Sequence, residues 1–317
     1  MPQPSKWQLL PTEAINPATL GIDKQSAAGI VDLMLAEDKK ALVAVYRERD
    51  RIAVGVDMIA KSLRKGGRVI FVGAGTSGRL GVVEAAEMPP TFGTSPEVVQ
   101  AIMAGGKTAI LKAKEGAEDD YEEGARATKR LRPAKKDVVV GVSASGMTPF
   151  VRGALTSARG AGARIIFVTC DPRTELQSFV DLTIAPAVGP EVIAGSTRLK
   201  AGTATKLVLN ALTTSAMVII GKTYGNLMVD VRTGSEKLRD RARRMVHIVT
   251  GVEIEAADAL LKRAHWNVKA AIVMQKTGLT YQKALSRLRR SHDRLRDAIG
   301  EDIEPRLRAL LGGTDAR

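Results

Sequence analysis

Val69-Ile70-Phe71-Val72-Gly73-Ala74-Gly75-Thr76-Ser77-Gly78-Arg79-Leu80 joins a short apolar run to a glycine-rich turn and then to a helical pattern. A nearly continuous apolar run stopped by glycine is the signature of a strand covered on both faces, as in parallel sheets. Working outward, similar runs recur at Val98–Met103, Val138–Val142, Ile165–Thr169 and Leu182–Ile184, with helical stretches between them. Strands alternating with helices need right-handed crossovers, so the sequence predicts an α/β fold with a doubly wound parallel sheet. Upstream, Ala27–Leu35 and Ala41–Leu63 carry apolar residues at three- and four-residue spacing, and Gly66-Gly67 closes the second helix. Downstream of Arg232 the chain reads as charged helices without a strand signal, and Thr250–Leu285 as two or three short amphipathic helices in a small bundle. The expected organisation is a helical segment over 1–66 packing on the core, an α/β domain over 67–231 and a helical domain over 232–317.

Composition narrows the function. The 317 residues are 44% hydrophobic and 26% charged, too apolar for a disordered chain. No apolar run approaches the roughly 20 residues of a membrane helix, and the opening Met-Pro-Gln-Pro-Ser-Lys has no signal-peptide core. The lone Cys170 rules out an internal disulfide framework, which fits the cytoplasm. Three scattered histidines and no paired cysteines argue against a protein-built metal site. The net charge of +14 invites a nucleic-acid reading. However, 19 basic and 11 acidic residues fall after Val231, where solvated helix faces account for them, and only 3% of residues are aromatic. No stacking platform for single strands accompanies the charge, so an anionic small molecule is the better partner.

In a doubly wound sheet ligands bind beyond the carboxyl ends of the strands, near the point where strand order reverses. The loops there carry the chemistry. Gly73–Arg79 matches the spaced glycines of a dinucleotide turn, but the next strand ends in Ala104-Gly105-Gly106 instead of the ribose-binding acid. An anion fits better: glycines such as Gly75 let the backbone approach, Thr76 and Ser77 offer hydroxyls, and the helix start adds N–H donors. Ala101–Thr108 is a near miss to a P-loop, with alanine where the first glycine belongs. Ser143-Ala144-Ser145-Gly146-Met147-Thr148-Pro149 sets three hydroxyls before a proline-marked helix start, a second anion cradle suited to a phosphate monoester that stays bound. Ser196, Arg198 and Lys200 lie in Gly195–Thr203 ahead of the apolar stretch Ala204–Ile220, where the two cations can converge on a ligand. Glu84 and Glu87 share a helix face, and Met88-Pro89-Pro90 is expected to end that helix and hold Glu87 near the first loop. Glu118 lies in an acid-rich stretch that by itself reads as a solvated helix start.

GAGTSGRLG at Gly73–Gly81, Glu87 followed by PPTFG at Pro89–Gly93, EGAED at Glu115–Asp119, SASG at Ser143–Gly146 and GSTRLKAGTATK at Gly195–Lys206 resemble the N-acetylmuramic acid 6-phosphate etherases. So does Thr12-Glu13-Ala14-Ile15-Asn16-Pro17, and the likeness runs from about Thr12 past Leu285. The resemblance implies a five-stranded sugar isomerase domain, related to that of the glucokinase regulatory protein. It also implies a small helical C-terminal domain and a homodimer with sites near the subunit interface. The implied reaction cleaves the lactyl ether of a sugar phosphate during cell-wall recycling, with no metal or redox cofactor. Glu87 and Glu118 match the family's two catalytic glutamates, Glu87 as acid toward the lactyl oxygen and Glu118 as base at C2. Ser77, Ser143, Ser145 and Thr148 match phosphate-holding positions of related isomerase domains.

The chain departs from the family pattern at Met147, usually arginine, at Gly234-Ser235, usually Thr-Asn, and at His247, commonly asparagine. A phosphosugar aldose–ketose isomerase would need one base only. A sugar-phosphate-sensing regulator would need the hydroxyl loops but neither carboxylate, so the presence of both Glu87 and Glu118 favours the etherase.

Overall fold

The computed structural model describes residues 10–312. Five strands, β1 (Val69–Gly73), β2 (Val99–Met103), β3 (Val138–Val142), β4 (Arg164–Val168) and β5 (Leu182–Ile184), form one parallel sheet in the order β2-β1-β3-β4-β5. Each expected strand falls within a residue of its observed bounds, because burial on both faces leaves no polar alternation to blur them. The order reverses between β1 and β3, whose register sets Gly73 opposite Val142. At the other end of this pair Asp137, fully buried, accepts bonds from the backbone N–H and the guanidinium of Arg68 at 2.9 and 2.6 Å. That fork fixes the register from below.

Before the sheet come α1 (Ala27–Arg47) and α2 (Arg49–Arg64). The expected gap at residues 36–40 is absent: the helix runs through Glu37 and breaks at Glu48, whose carboxylate accepts the N–H of Ala185 at 3.0 Å. Glu37 reads as a polar interruption but points inward and is 3% exposed. Gly66, at φ +67°, closes α2 as expected.

Within the sheet crossovers, α3 (Gly75–Phe92) follows β1, the short α4 (Thr108–Leu111) and α5 (Tyr121–Arg130) follow β2, and α6 (Pro149–Gly160) follows β3. Prolines 89 and 90 do not end α3, contrary to the sequence expectation. Met88 and Phe92, on either side of them, are both buried, and their packing holds the helix despite two missing donors. The stop is Gly93, at φ +63°, whose N–H bonds the carbonyl of Pro89 at 3.0 Å.

Downstream lie α7 (Lys200–Ile219), a small hairpin of β6 (Thr223–Tyr224) and β7 (Leu227–Met228), then α8 (Glu236–Thr250), α9 (Ile254–Arg263), α10 (Val268–Thr277), α11 (Tyr281–Arg290), α12 (Leu295–Ile299) and α13 (Glu304–Gly312). None of the described helices is long and apolar enough to cross a membrane. Two compact units emerge. One comprises the residues up to Ala86 with Pro96–Ser215; the other comprises Glu87–Ser95 with the residues from Ala216 onward. The first holds the sheet; Ile70, Val72, Val139, Ile165 and Phe167 pack against Phe150, Val151 and Leu155 of α6. The second has its own core around Val246, Leu261, Ile272 and Val273.

Candidate functional site

The register pair Gly73 and Val142 releases two loops side by side at the carboxyl edge of the sheet. The first is tight. A Cβ on Gly73 would lie 2.6 Å from the nitrogen of Gly78, and one on Gly78 would lie 2.6 Å from the oxygen of Gly73, so backbone meets backbone. Gly75 is exposed at φ +53°, with nothing within 4 Å of where a Cβ would stand. Thr76 and Ser77 follow, half-buried, in the first turn of α3. Exposed backbone, two hydroxyls and a helix start form an anion-ready edge.

The second loop gathers its hydroxyls. Ser143 Oγ lies 2.7 Å from Thr148 Oγ1 and 3.5 Å from Ser145 Oγ, while Ser145 Oγ accepts the N–H of Met147 at 3.4 Å. Gly146 sits at φ +75° with its carbonyl bonded by Thr174 Oγ1 at 3.2 Å, which curls the loop back over the end of β3. Thr148 then leads into α6 with Pro149 at its first position. The structure therefore brings Ser143, Ser145 and Thr148 together as the sequence suggested.

A cleft of about 1120 Å³ opens beside this loop, lined by Met147, Thr148, Arg152, Tyr121, Asp171 and Arg173 among others. Arg173 lies 3.7 Å from Asp171, whereas the guanidinium of Arg152 has no ion-pair partner among the described residues. Arg152 follows Met147 by little more than one helical turn and presents a cation on the same cleft.

Glu118 is exposed in a single 3-10 turn, Ala117–Asp119, that packs against α6. The acid-rich stretch is thus anchored to the helix that begins in the hydroxyl loop. Glu87 is exposed on α3 and belongs to the helical unit. Glu84, one turn earlier, is buried, with its carboxylate bonded by Asn210 and by Thr213 Oγ1, the latter at 2.6 Å. The two glutamates share a helix but not an environment.

The start of α7 corrects one expectation. Lys200 is 1% exposed and its ammonium bonds Glu37 at 2.5 Å, so it offers no charge to a ligand. The helix start is taken as well: Glu191, fully buried, accepts the N–H groups of Lys200 and Ala201, each at 2.9 Å. A carboxylate there complements the helix dipole and satisfies two orphan donors. Burial pushes the Glu191 carboxyl up, against the opposing pull of those N–H bonds. Burial and the nearby Glu191 also drive the Cys170 thiol up to about 12, which removes it as a nucleophile. Arg198 stays exposed and Ser196 half-buried. Gly195, at φ +76°, donates to the carbonyl of Thr12 at 3.1 Å and abuts Glu13. Gly202 lies against Thr76, where a Cβ would stand 3.5 Å from Cγ2, so the first turn of α7 abuts the first loop. Sequence reading missed Glu37 and Glu191: neither stands in a motif, and Glu37 lies in the charged run Glu37-Asp38-Lys39-Lys40, where nothing marks it for burial.

Residues 51–159 match the family model of the glucokinase regulatory protein N-terminal SIS domain. An N-acetylmuramic acid 6-phosphate etherase from Salinibacter ruber is 50% identical over 296 residues, covering 93% of this chain and 95% of that protein. The N-acetylmuramic acid 6-phosphate etherase 2 of Vibrio cholerae is 47% identical over 295 residues, covering 93% and 96%. Among solved structures, a phosphoheptose isomerase from Neisseria gonorrhoeae is similar with a TM-score of 0.47 at 18% identity, covering 60% of this chain and 98% of that one.

The buried pair at α7 makes a prediction about acid. Burial alone would raise the Glu37 carboxyl, but bonds from Lys200, Lys40 and Asn16 outweigh it and hold the pKa at about 2, below the ordinary 4.5. A depressed carboxylate stabilises the fold above its unfolded value and stops doing so as pH falls through the folded value. Urea midpoints should therefore decline between about pH 4.5 and about pH 2. Lys200→Met should lose roughly 3–5 kcal/mol at neutral pH by leaving Glu37 short of its partner, and should flatten that decline. Equal acid sensitivity in the two proteins would show that the pair contributes nothing to it.

Proposed function

The chain belongs to the N-acetylmuramic acid 6-phosphate etherase family, and from that membership we propose that it is a carbon–oxygen lyase. It cleaves the D-lactyl ether of N-acetylmuramic acid 6-phosphate to give N-acetylglucosamine 6-phosphate and D-lactate, in amino sugar recycling. The observation that carries the reading to this site is the Gly73–Val142 register, which starts two hydroxyl-rich loops next to each other where the strand order reverses.

The chemistry assigns work to few residues. Ser77, Ser143, Ser145 and Thr148, with the exposed backbone at Gly75 and Thr76, hold the phosphate through neutral donors, which bind it without activating its transfer. In the open-chain sugar the aldehyde acidifies the C2 proton. Glu118 removes that proton, Glu87 protonates the ether oxygen, and lactate departs from C3. Water, deprotonated by Glu87, then adds at C3 of the unsaturated aldehyde while Glu118 returns its proton to C2. Each placed acid or base contributes about 10²–10⁴-fold. Arg152 is the cation available on the cleft where Met147 replaces the usual arginine, and Ser196 and Arg198 complete the polar wall.

The same reading makes the protein a cytoplasmic homodimer. Val31, Leu35, Leu42 and Tyr46 are all exposed at four- and seven-residue spacing along α1, an apolar stripe suited to a second copy. The mass in solution should be twice that of the chain, and a monomer at micromolar concentration would refute the dimer.

The function is tested by D-lactate release. The phosphorylated ether should be cleaved and its unphosphorylated form turned over poorly; equal rates would remove phosphate from the recognition scheme. Ser143→Ala/Ser145→Ala should raise KM steeply, since two hydrogen bonds to a charged group are worth roughly 3–6 kcal/mol together. An unchanged KM would put the phosphate elsewhere.

The glutamate roles separate by isotope exchange. Glu118→Gln should nearly abolish exchange of the C2 proton with deuterated solvent. Glu87→Gln should spare some exchange while stopping lactate release, because C2 is deprotonated before the ether oxygen needs its proton. Swapped phenotypes would reverse the roles, and full lactate release by either variant would refute the mechanism.

A further inference from the structure

Glu87 is carried by the helical unit, and that unit grips the end of its helix. The residues after Glu87 meet the segment Asp230–Arg232 in two ways, and burial of their apolar side chains adds a third restraint. Gly93 is left-handed and has no room for a side chain, since a Cβ there would collide with the carbonyl oxygen of Asp230. Arg232 Nη2 donates to the carbonyl of Thr94 at 2.6 Å. Met88 and Phe92 are each 4% exposed, which keeps Glu87 on the outward side of the helix.

Asp230 is itself fixed from behind. Its carboxylate takes the ammonium of Lys269 at 2.6 Å and that of Lys222 at 3.1 Å. Lys269 is 3% exposed, and its other contact is the carbonyl of Asp293 at 2.8 Å. A buried ammonium cannot leave its carboxylate without facing an apolar surround, so Asp230 has one position open to it. That position sets the backbone against which Gly93 closes.

We propose that Asp230, Lys269 and Arg232 are positioning residues for Glu87: a clamp in the helical unit that holds the end of α3 and so aims the acid at the ether oxygen. The clamp rests on the reading of Glu87 as the acid. A displacement of about 1 Å at an acid–base group can cost on the order of a hundredfold in rate, whereas phosphate binding on the sheet unit is untouched.

The test uses the full chain carrying Arg232→Met, an exposed position that leaves the core intact, and Lys269→Met alongside it. Two readouts are needed. Amide hydrogen exchange over residues 88–95 should quicken in both variants while β1 and β3 stay protected. The kcat for D-lactate release should fall about ten- to a hundredfold with KM within about twofold. In a Glu87→Gln background, where C2 proton exchange is the activity that remains, Arg232→Met should lower that exchange by less than about twofold, because the group being aimed is gone. Unchanged exchange over 88–95 overturns the clamp whatever the activity. Faster exchange with full kcat overturns the positioning role, as does an undiminished loss in the Glu87→Gln background. If the unmodified protein releases no lactate, the etherase reading fails and with it the role of aiming an acid, while the exchange data alone still decide whether the clamp exists. If Lys269→Met does not fold, the Arg232→Met comparison carries the decision.

Discussion

The pairing of β1 with β3 is the constraint from which the candidate site follows. These neighbours are separated in sequence by a whole crossover through β2, and from them the chain winds outward in opposite directions. Helices therefore leave the middle of the sheet on both sides, and the carboxyl edge between Gly73 and Val142 stays open. The register depends on the buried fork between Asp137 and Arg68. Slipping it by one residue would turn Ile70 and Val72 away from α6 and unseat the apolar layer as well as the loops.

A second set of buried charges organises the flank. Glu37 comes from a distant part of the chain and meets Lys200 and Glu191, nine residues apart, at the first turn of α7. Their arrangement is weak evidence for stability as such, because desolvation offsets much of the attraction. It is strong as geometry. The first turn of α7 abuts Thr76 through Gly202, so fixing α7 also fixes one wall of the first loop. Glu37, Lys200 and Glu191 are thus spent on the scaffold, whereas Arg198 of the same stretch stays exposed.

What the sequence disclosed and what it hid follow the range of the forces involved. Strands β1 to β5 were legible because burial on both faces writes a local, contiguous signal, and the Ser143–Thr148 hydroxyls because a single loop holds them. The fate of Lys200 was not legible. Its partner Glu37 lies 163 positions away, and nothing near either residue marks the encounter. Glu37 sat in what read as a break between helices, yet the buried pair pulls that turn into the core and the helix continues. The run Met88-Pro89-Pro90 misled for the opposite reason: local backbone chemistry says stop, but burial of Met88 and Phe92 outweighs two missing hydrogen bonds.

The path of the chain through the two units bears on how the protein is made. Glu87–Ser95 is finished early on the ribosome, but the unit it belongs to resumes only at Ala216. At about 5–20 residues per second the segment waits roughly 6–24 s before its companions emerge. Through that interval the segment with Met88 and Phe92, both buried in the finished protein, lacks the rest of its unit. The sheet unit is complete in sequence at Ser215, so it is the helical unit whose early segment must wait for the last third of the chain.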